Sequence, residues 1–454
     1  MLIQVGNAWA RVRNASVEEL GFLRSYLTYT RVAFSGPSES TSLLTPDGLF
    51  PAGLSDLAIS ALRERGTPVE RVLRVSPAPF VPPESVDLSG LWDHQREAVL
   101  LVLSGRHRGV IQHATGSGKG TTISTLCRLA VCRVLVVVPS KQLLREMRDR
   151  LAKHGVKAGR VGDGRRELKE RVIVCIAASL KVLTKSDLES FGAVMVDEVH
   201  GAPSPTIYEP LMRCVNASVR LGFSGTPMDR ADKKSLYIVG VLGSVIHRFT
   251  PGAAARNGIT ARCQLRMPAI IHPVHKTTGR YDQWEHRAYA FNRARNLLVA
   301  RLVSGSAAPR IVFVRTKAHQ RMLAKMLGVD CLIVNDETPG PEVQRVLQSF
   351  RQGTVGTLVS TPIFRQGVDI PEVATVINAA GGKATIDVIQ KVGRGSRRFQ
   401  TDGSTKETFR VYDINDQGCG CGGSAHQSCK WLETHSGDRA KAYAKFGYVV
   451  LPTE

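Results

Sequence analysis

The chain has 454 residues, 43% hydrophobic content and a net charge of +22, from 61 Lys+Arg against 39 Asp+Glu. That length is too great for one ordinary core and sets two or three domains as the expectation. No apolar run approaches the ~20 residues needed to span a bilayer, and residues 1–7 lack the basic-then-apolar pattern of a secretory leader, which points to the cytoplasm.

The charge excess favours a polyanion partner, because phosphate backbones are gained through counterion release. It is scattered along the chain (Arg63, Arg65, Arg71, Arg74; Arg145, Arg148, Arg150, Lys153; Lys391, Arg394, Arg397, Arg398). Dispersed charge suits a long groove following a backbone better than a disordered tail. Aromatic content is only 6%, which argues against base stacking as the main grip. Cys127, Cys132, Cys175, Cys214, Cys263 and Cys331 lie singly in apolar contexts and read as free thiols rather than a disulfide framework.

Residues 1–85 carry short mixed patterns and read as a small α+β accessory domain ending in a Pro-rich stretch, 77–83, with the character of an extended linker. From 86 to 245 apolar strands alternate with helical patterns. Val134-Leu-Val-Val-Val138, Val172-Ile-Val-Cys-Ile176 and Ala193-Val-Met-Val196 predict buried strands, and 141–154 predicts a helix between them. Residues 246–290 are less regular and read as a connection. A second alternating block fills 291–454, with strands expected at Arg310-Ile-Val-Phe-Val314, Thr357-Leu-Val-Ser360, Ala374-Thr-Val-Ile-Asn378 and Phe409-Arg-Val-Tyr412. The fold class is therefore α/β: two tandem blocks, each a parallel sheet flanked by helices, with a cleft expected between them.

The stretch His113-Ala-Thr-Gly-Ser-Gly-Lys-Gly-Thr121 follows the apolar pair Val110–Ile111 and opens a helical pattern. Strand, glycine loop and helix start form the context of a phosphate-binding loop. Backbone N–H groups from Thr115 to Thr121 would face phosphate oxygens, Gly116 and Gly118 would permit the tight path, and Lys119 would reach the β and γ phosphates. Gly120 stands where a Ser or Thr normally offers Mg²⁺ a hydroxyl, and Gly120→Thr is expected to be tolerated. Val196-Asp-Glu-Val-His200 supplies a strand ending in two carboxylates: Asp197 for the Mg²⁺ shell and Glu198 to orient and deprotonate water. In the second block, Gln390-Lys-Val-Gly-Arg-Gly-Ser-Arg397 offers Gln390 and two arginine fingers, Arg394 and Arg397, read as a helix start facing the cleft.

With these motifs in order, the chain resembles the superfamily 2 helicases and translocases from about residue 90 to the end. Gln95 in Leu91-Trp-Asp-His-Gln95 is similar to that family's adenine-sensing glutamine. Pro139 and Ser140 resemble its first-lobe backbone contacts, and Ser224-Gly-Thr-Pro227 its coupling motif, with His200, Ser224 and Thr226 as coupling residues. Thr361-Pro-Ile-Phe-Arg-Gln-Gly-Val-Asp-Ile-Pro371 resembles the motif that sets Gly367 and Asp369 near nucleotide and Thr361 near the strand. The resemblance implies two RecA-like lobes, ATP with Mg²⁺, and DNA as partner. Val161-Gly-Asp-Gly164, Asn292-Arg-Ala-Arg-Asn296, His435-Ser-Gly-Asp-Arg439 and, more faintly, Phe50-Pro-Ala-Gly-Leu54 in a small DNA-binding domain resemble the UvsW-type and XPB-like DNA branch. The box reads DEVH rather than DEAD, which weakens the RNA-helicase reading. The resemblance to that branch implies remodelling of branched DNA (fork regression or Holliday-junction migration) in recombination, repair or replication, in a phage or prokaryotic setting, with proteins of those processes as further partners.

Other readings remain open at this level: the motor subunit of a restriction-type nuclease complex, an RNA helicase, or a non-catalytic clamp whose support is Gly120. Cys419, Cys421, His426 and Cys429 form a chemically reasonable tetrahedral Zn²⁺ set, although the spacing matches no common finger and also suits a glycine-rich loop.

Overall fold

A computed structural model describes residues 1–31, 39–76, 79–81, 86–228, 235–272, 286–328, 331–335, 337–361, 370, 372–383, 385–398, 400–401, 404–417 and 427–452. The chain divides into two compact units. One comprises Met1–His113 and Gly118–Phe249; the other comprises Ala114–Ser117 and Thr250–Glu454. Among the described residues no helix is long and apolar enough to cross a membrane.

The first unit begins with a small sheet ordered Leu49–Pro51, Trp9–Arg13, Leu2–Gly6, Glu70–Arg74. Strict alternation turns Ile3, Val5, Ala10 and Val12 inward onto the helices Val17–Tyr26 and Ser55–Glu64. Ser16 starts the first of these helices with a reciprocal capping box, its backbone N–H donating to Glu19 at 2.6 Å and its hydroxyl accepting from the Glu19 N–H at 3.2 Å. The opposite alternation turns Trp9, Arg11 and Arg13 to the open face, where strand register adds Arg74 across from Gly6.

This domain docks on the helix Ser235–Leu242 through Phe50-Pro-Ala-Gly-Leu54. A Cβ on Gly53 would lie 2.0 Å from the Val239 carbonyl oxygen, so only glycine allows the backbones to meet. Arg108 fastens the joint by donating to the carbonyls of Asn7 and Val241. Part of the stretch expected as a linker belongs to the same body: Val131 N–H donates to Pro79 O at 2.8 Å, and Phe80 bridges Ala130.

The large sheet of this unit runs Arg165–Arg166, Ala158–Gly162, Val172–Ile176, Val134–Val138, Ala193–Asp197, Val219–Ser224, Arg108–His113, Val245–Phe249. All its neighbours are parallel except the first hairpin. Val134–Val138 and Val172–Ile176 are buried throughout, as expected of strands covered on both faces. The helices Lys119–Leu129 and Lys141–Lys153 share one core with the sheet, burying Ile123 and Leu126 of the first and Leu144, Met147 and Leu151 of the second.

The second unit carries a parallel sheet whose described strands run Cys331–Val334, Thr357–Ser360, Arg310–Phe313, Thr375–Asn378, Thr408–Asp413, Arg262–Arg266, Val450–Leu451. The described parts of this span, 246–272 and 286–290, thus hold more regular structure than their weak periodicity suggests. Val245–Phe249 closes one sheet and Arg262–Arg266 enters the other, because each strand is short and takes its stability from its neighbours rather than from its own pattern.

Two motifs distant in sequence meet inside this unit. Asn292 caps the helix Arg293–Ser304, accepting from Arg295 N–H at 3.0 Å, while the Arg295 guanidinium donates to Asp416 at 2.7 Å. Arg439 donates to both oxygens of Asp413 at 3.1 Å and lies 3.8 Å from Asp416. Burial alone would raise the Asp416 carboxyl, but Arg295, His272 and Arg439 hold it down to about 2. The same arginines bind the carbonyls of Ala379 and Gly382, fixing the loop before the helix Thr385–Gly393.

Candidate nucleotide-binding site

Three neighbouring parallel strands, Ala193–Asp197, Val219–Ser224 and Arg108–His113, end at one edge of the first large sheet. The carboxyl edge of such a sheet is where open α/β folds bind ligands. From Arg108–His113 the chain turns through the glycine loop, with Gly116 at φ 83° and Gly118 at φ 78°. These are left-handed values that L side chains rarely adopt. Ser117 tightens the turn by donating its hydroxyl to Ala114 O at 2.7 Å. The helix Lys119–Leu129 then begins at Gly118, with Thr121 N–H donating to Gly118 O at 2.9 Å. Lys119 Nζ donates to His113 O at 3.4 Å, which folds it back over the loop.

Gln95 is buried beneath that turn. Its amide donates to Gly118 O at 3.4 Å and accepts from Trp92 N–H at 3.2 Å, and a Cβ at Gly118 would fall 2.3 Å from its nitrogen. The histidine before the loop is also buried. Burial, with His247, His94 and Lys119 nearby, pushes His113 down to about 2, so it stays neutral and meets His247 at 2.9 Å.

Asp197 is half-buried at its strand end, where burial and the adjoining Glu198 carboxylate push its pKa up to about 7, against the pull of Lys119. A carboxylate short of positive charge beside a phosphate-type loop fits a divalent cation, with Asp197 as its protein ligand. Glu198 sits at φ 49°, a strained backbone for a non-glycine residue and one typical of functional sites. Ser224 donates its hydroxyl to Glu198 at 3.3 Å, and His200 Nδ1 lies 3.4 Å from both Ser224 Oγ and Glu198. Thr226 N–H donates to Ser224 Oγ at 3.2 Å, joining the candidate coupling residues directly to the acidic pair.

Elsewhere in the first unit, Ser140 caps the helix Lys141–Lys153 by accepting from Leu143 N–H at 3.3 Å, with Pro139 just before it. Asp163, in the left-handed turn of Val161-Gly-Asp-Gly164, pairs with Lys141 and Arg145 of the same helix.

In the second unit Gln390 lies in the helix Thr385–Gly393, and Arg394 and Arg397 follow its C-terminal end. This corrects the expectation of a helix start. The apolar face (Val388, Ile389, Val392) precedes the arginines, and the glycines at 393 and 395 end the helix. Ala261 N–H donates to Ser396 O at 2.8 Å and Thr260 bridges Arg397, so the arginine strip is pinned to the start of this unit's sheet. Thr361 is buried, its N–H donating to Val334 O at 3.3 Å. Gly367, Asp369, Cys419, Cys421 and His426 lie outside the described residues, as does the side chain of Cys429.

Sequence reasoning missed Arg150, which lies over Gly120 and donates to the Thr121 hydroxyl at 3.3 Å. The sequence shows it as one charge in a basic helix. It also missed Asp413, Asp416 and His272: Asp413 ends the strand Thr408–Asp413, where a carboxylate after Val411 and Tyr412 was the available signal, whereas Asp416 in Asn415–Gln417 and His272 just after Ala269–Ile271 carry no such signal.

Fold and site define an ATP-hydrolysing motor of helicase type, and the chain belongs to the superfamily 2 helicases and translocases. Residues 89–229 match the family described as type III restriction enzyme, res subunit, and residues 292–398 match the helicase conserved C-terminal domain. The chain is 23% identical over 374 residues to the DNA 3'-5' translocase XPB2 of Sulfurisphaera tokodaii, covering 72% of this chain and 82% of that protein. It is 25% identical over 334 residues to the DNA 3'-5' helicase XPB of Kineococcus radiotolerans, covering 68% of this chain and only 58% of that relative. Its fold resembles the ATP-dependent type ISP restriction-modification enzyme LlaBIII bound to DNA, with a TM-score of 0.55 and 14% identity over 84% of this chain and 32% of that one.

Proposed function

We propose that this chain is an ATP-driven DNA translocase that remodels branched DNA, as in fork regression or Holliday-junction migration. The observation that carries the motor is the placement of glycine loop, acidic pair and Ser224 at the ends of three adjacent parallel strands. In this reading Thr115, Gly116, Ser117, Gly118, Lys119, Gly120 and Thr121 hold the phosphates, and Gln95, Gly367 and Asp369 serve the rest of the nucleotide. Asp197 holds Mg²⁺, which when bound neutralises phosphate charge. Glu198 orients and deprotonates the attacking water; Gln390, Arg394 and Arg397 meet the charge that develops on the γ-phosphate.

Hydrolysis is passed through Glu198, Ser224, His200 and Thr226 to the strand-gripping residues, Pro139, Ser140 and Thr361. Backbone contacts of this kind move DNA without reading sequence. The open face of the N-terminal sheet, with Trp9, Arg11, Arg13 and Arg74, supplies an aromatic and basic platform for the same partner. Names of the relatives, a DNA 3'-5' translocase and a DNA 3'-5' helicase, support DNA over RNA. Cys419, Cys421, His426 and Cys429 stand as a proposed Zn²⁺ set; stoichiometric metal in purified protein supports it, and a folded metal-free sample ends it.

The test is the ATPase rate with single-stranded, duplex, forked and four-way DNA and with RNA. Strongest stimulation by forked or four-way DNA is expected, and Lys119→Ala should lower turnover by about 100-fold or more. Stimulation by RNA alone would sink the DNA assignment. ATP-dependent cleavage of the DNA substrates only when a nuclease partner is added would favour the motor subunit of a restriction-type complex, the reading that the first family match also supports.

A further inference from the structure

The glycine at position 120 is accounted for by an arginine 30 residues away. Arg150 projects from the helix Lys141–Lys153 onto the first turn of Lys119–Leu129, and its Nη1 donates to Thr121 Oγ1 at 3.3 Å. A Cβ built on Gly120 would lie 2.7 Å from Arg150 Nε, 2.9 Å from Cδ and 3.2 Å from Cζ. The guanidinium therefore fills the side of the turn from which a Ser or Thr would project. Residue 120 can carry a side chain only if the flexible arginine yields, so Gly120 and Arg150 form a matched pair.

The electrostatics of this position are unusual. Among the described residues Arg150 makes no ion pair within 4 Å, and its hydrogen-bond partner is a neutral hydroxyl. It rests on the positive end of a helix with Lys119 one residue from Gly120, a place where a cation is unfavourable unless an anion joins it. Phosphate oxygens are anions of the required shape, and a guanidinium binds them through a planar fork of donors.

We propose that Arg150 is a nucleotide-binding residue that contacts the phosphates directly, in place of the hydroxyl that would otherwise anchor Mg²⁺ at position 120. This rests on the nucleotide-site reading above. Its consequence is that part of the nucleotide affinity survives without a divalent cation, because a fixed positive charge does some of the neutralisation.

The test is the Kd of fluorescent ADP, with Mg²⁺ and in EDTA, for the wild type, Arg150→Gln, Arg150→Lys and the double variant Gly120→Ser/Arg150→Gln, each with a thermal melt. The wild type should bind metal-free ADP within about fivefold of its Mg²⁺ affinity, and Arg150→Gln should weaken metal-free binding about tenfold or more while weakening Mg²⁺-dependent binding less. Arg150→Lys, which keeps the charge, should retain most of the metal-free affinity. The double variant should regain Mg²⁺-dependent binding with a steep metal requirement. Equal affinities for wild type and Arg150→Gln in both conditions, at unchanged melting temperature, would reduce the contact to packing and overturn the proposal. A wild type that binds no nucleotide with or without metal would overturn the nucleotide-site reading instead.

Discussion

Asp197 ionises near 3.8 in an unfolded chain but near 7 in the folded protein, because burial and Glu198 disfavour its charge. Folding therefore takes up a proton between these values. Stability declines as pH rises from about 4 to about 7, and the deficit is complete above 7. Asp197→Asn should accordingly stabilise the nucleotide-free protein at pH 8 by roughly 1–2 kcal/mol, a figure reduced from the full shift because the group is only half-buried. Thermal melts across pH check this: the gain should shrink towards pH 4, and a variant less stable than wild type at pH 8 would contradict it. ATPase activity should be lost in the same variant. The residues of this site were legible from sequence, since glycine loop, Asp197 and Glu198 stand in contiguous motifs. Arg150 was not, because nothing in residues 141–153 distinguishes one arginine on a basic helix from another until the fold lays it on Gly120.

Strands and helices with strong patterns match their expected spans closely: Val134–Val138, Val172–Ile176 and Thr357–Ser360 agree at both ends, and the helix Lys141–Lys153 at its start. What patterns could not convey was how elements join. Phe50-Pro-Ala-Gly-Leu54 reads in sequence as part of a DNA-binding domain, yet in the structure it is the joint between that domain and the helix Ser235–Leu242. Gly53→Val should force these backbones apart at a cost of about 1–3 kcal/mol, seen as an earlier transition or a second one on thermal unfolding. An unchanged melt with unchanged protease resistance would show that the joint is loose. Likewise, the segments 292–296 and 435–439 are recognisable only as family signatures; the structure shows Arg295 and Arg439 converging on Asp416 and binding the loop that leads to the arginine strip. Losing one partner leaves a buried charge uncompensated, which explains why such residues are fixed by the fold and not by surface chemistry.

At the scale of the molecule, the net charge of +22 is the dominant long-range property. If DNA is gripped by its phosphates, affinity should fall about 100-fold or more between about 50 and 200 mM salt, with little dependence on base sequence. A salt-insensitive complex would point to base contacts instead. By itself the sequence determined the α/β class and the order of the strands in the chain, and it pointed to the candidate nucleotide loop, the acidic pair and a polyanion partner. Each of these is caused by neighbouring residues: period, glycine spacing, a carboxylate pair, summed charge. Only the tertiary structure decided that Gly120 makes room for Arg150, that Gly53 lets two backbones touch, that the arginine strip follows a helix end, and that Val245–Phe249 and Arg262–Arg266 join different large sheets. These depend on groups far apart in sequence, whose contact exists only after the sheets have brought them together.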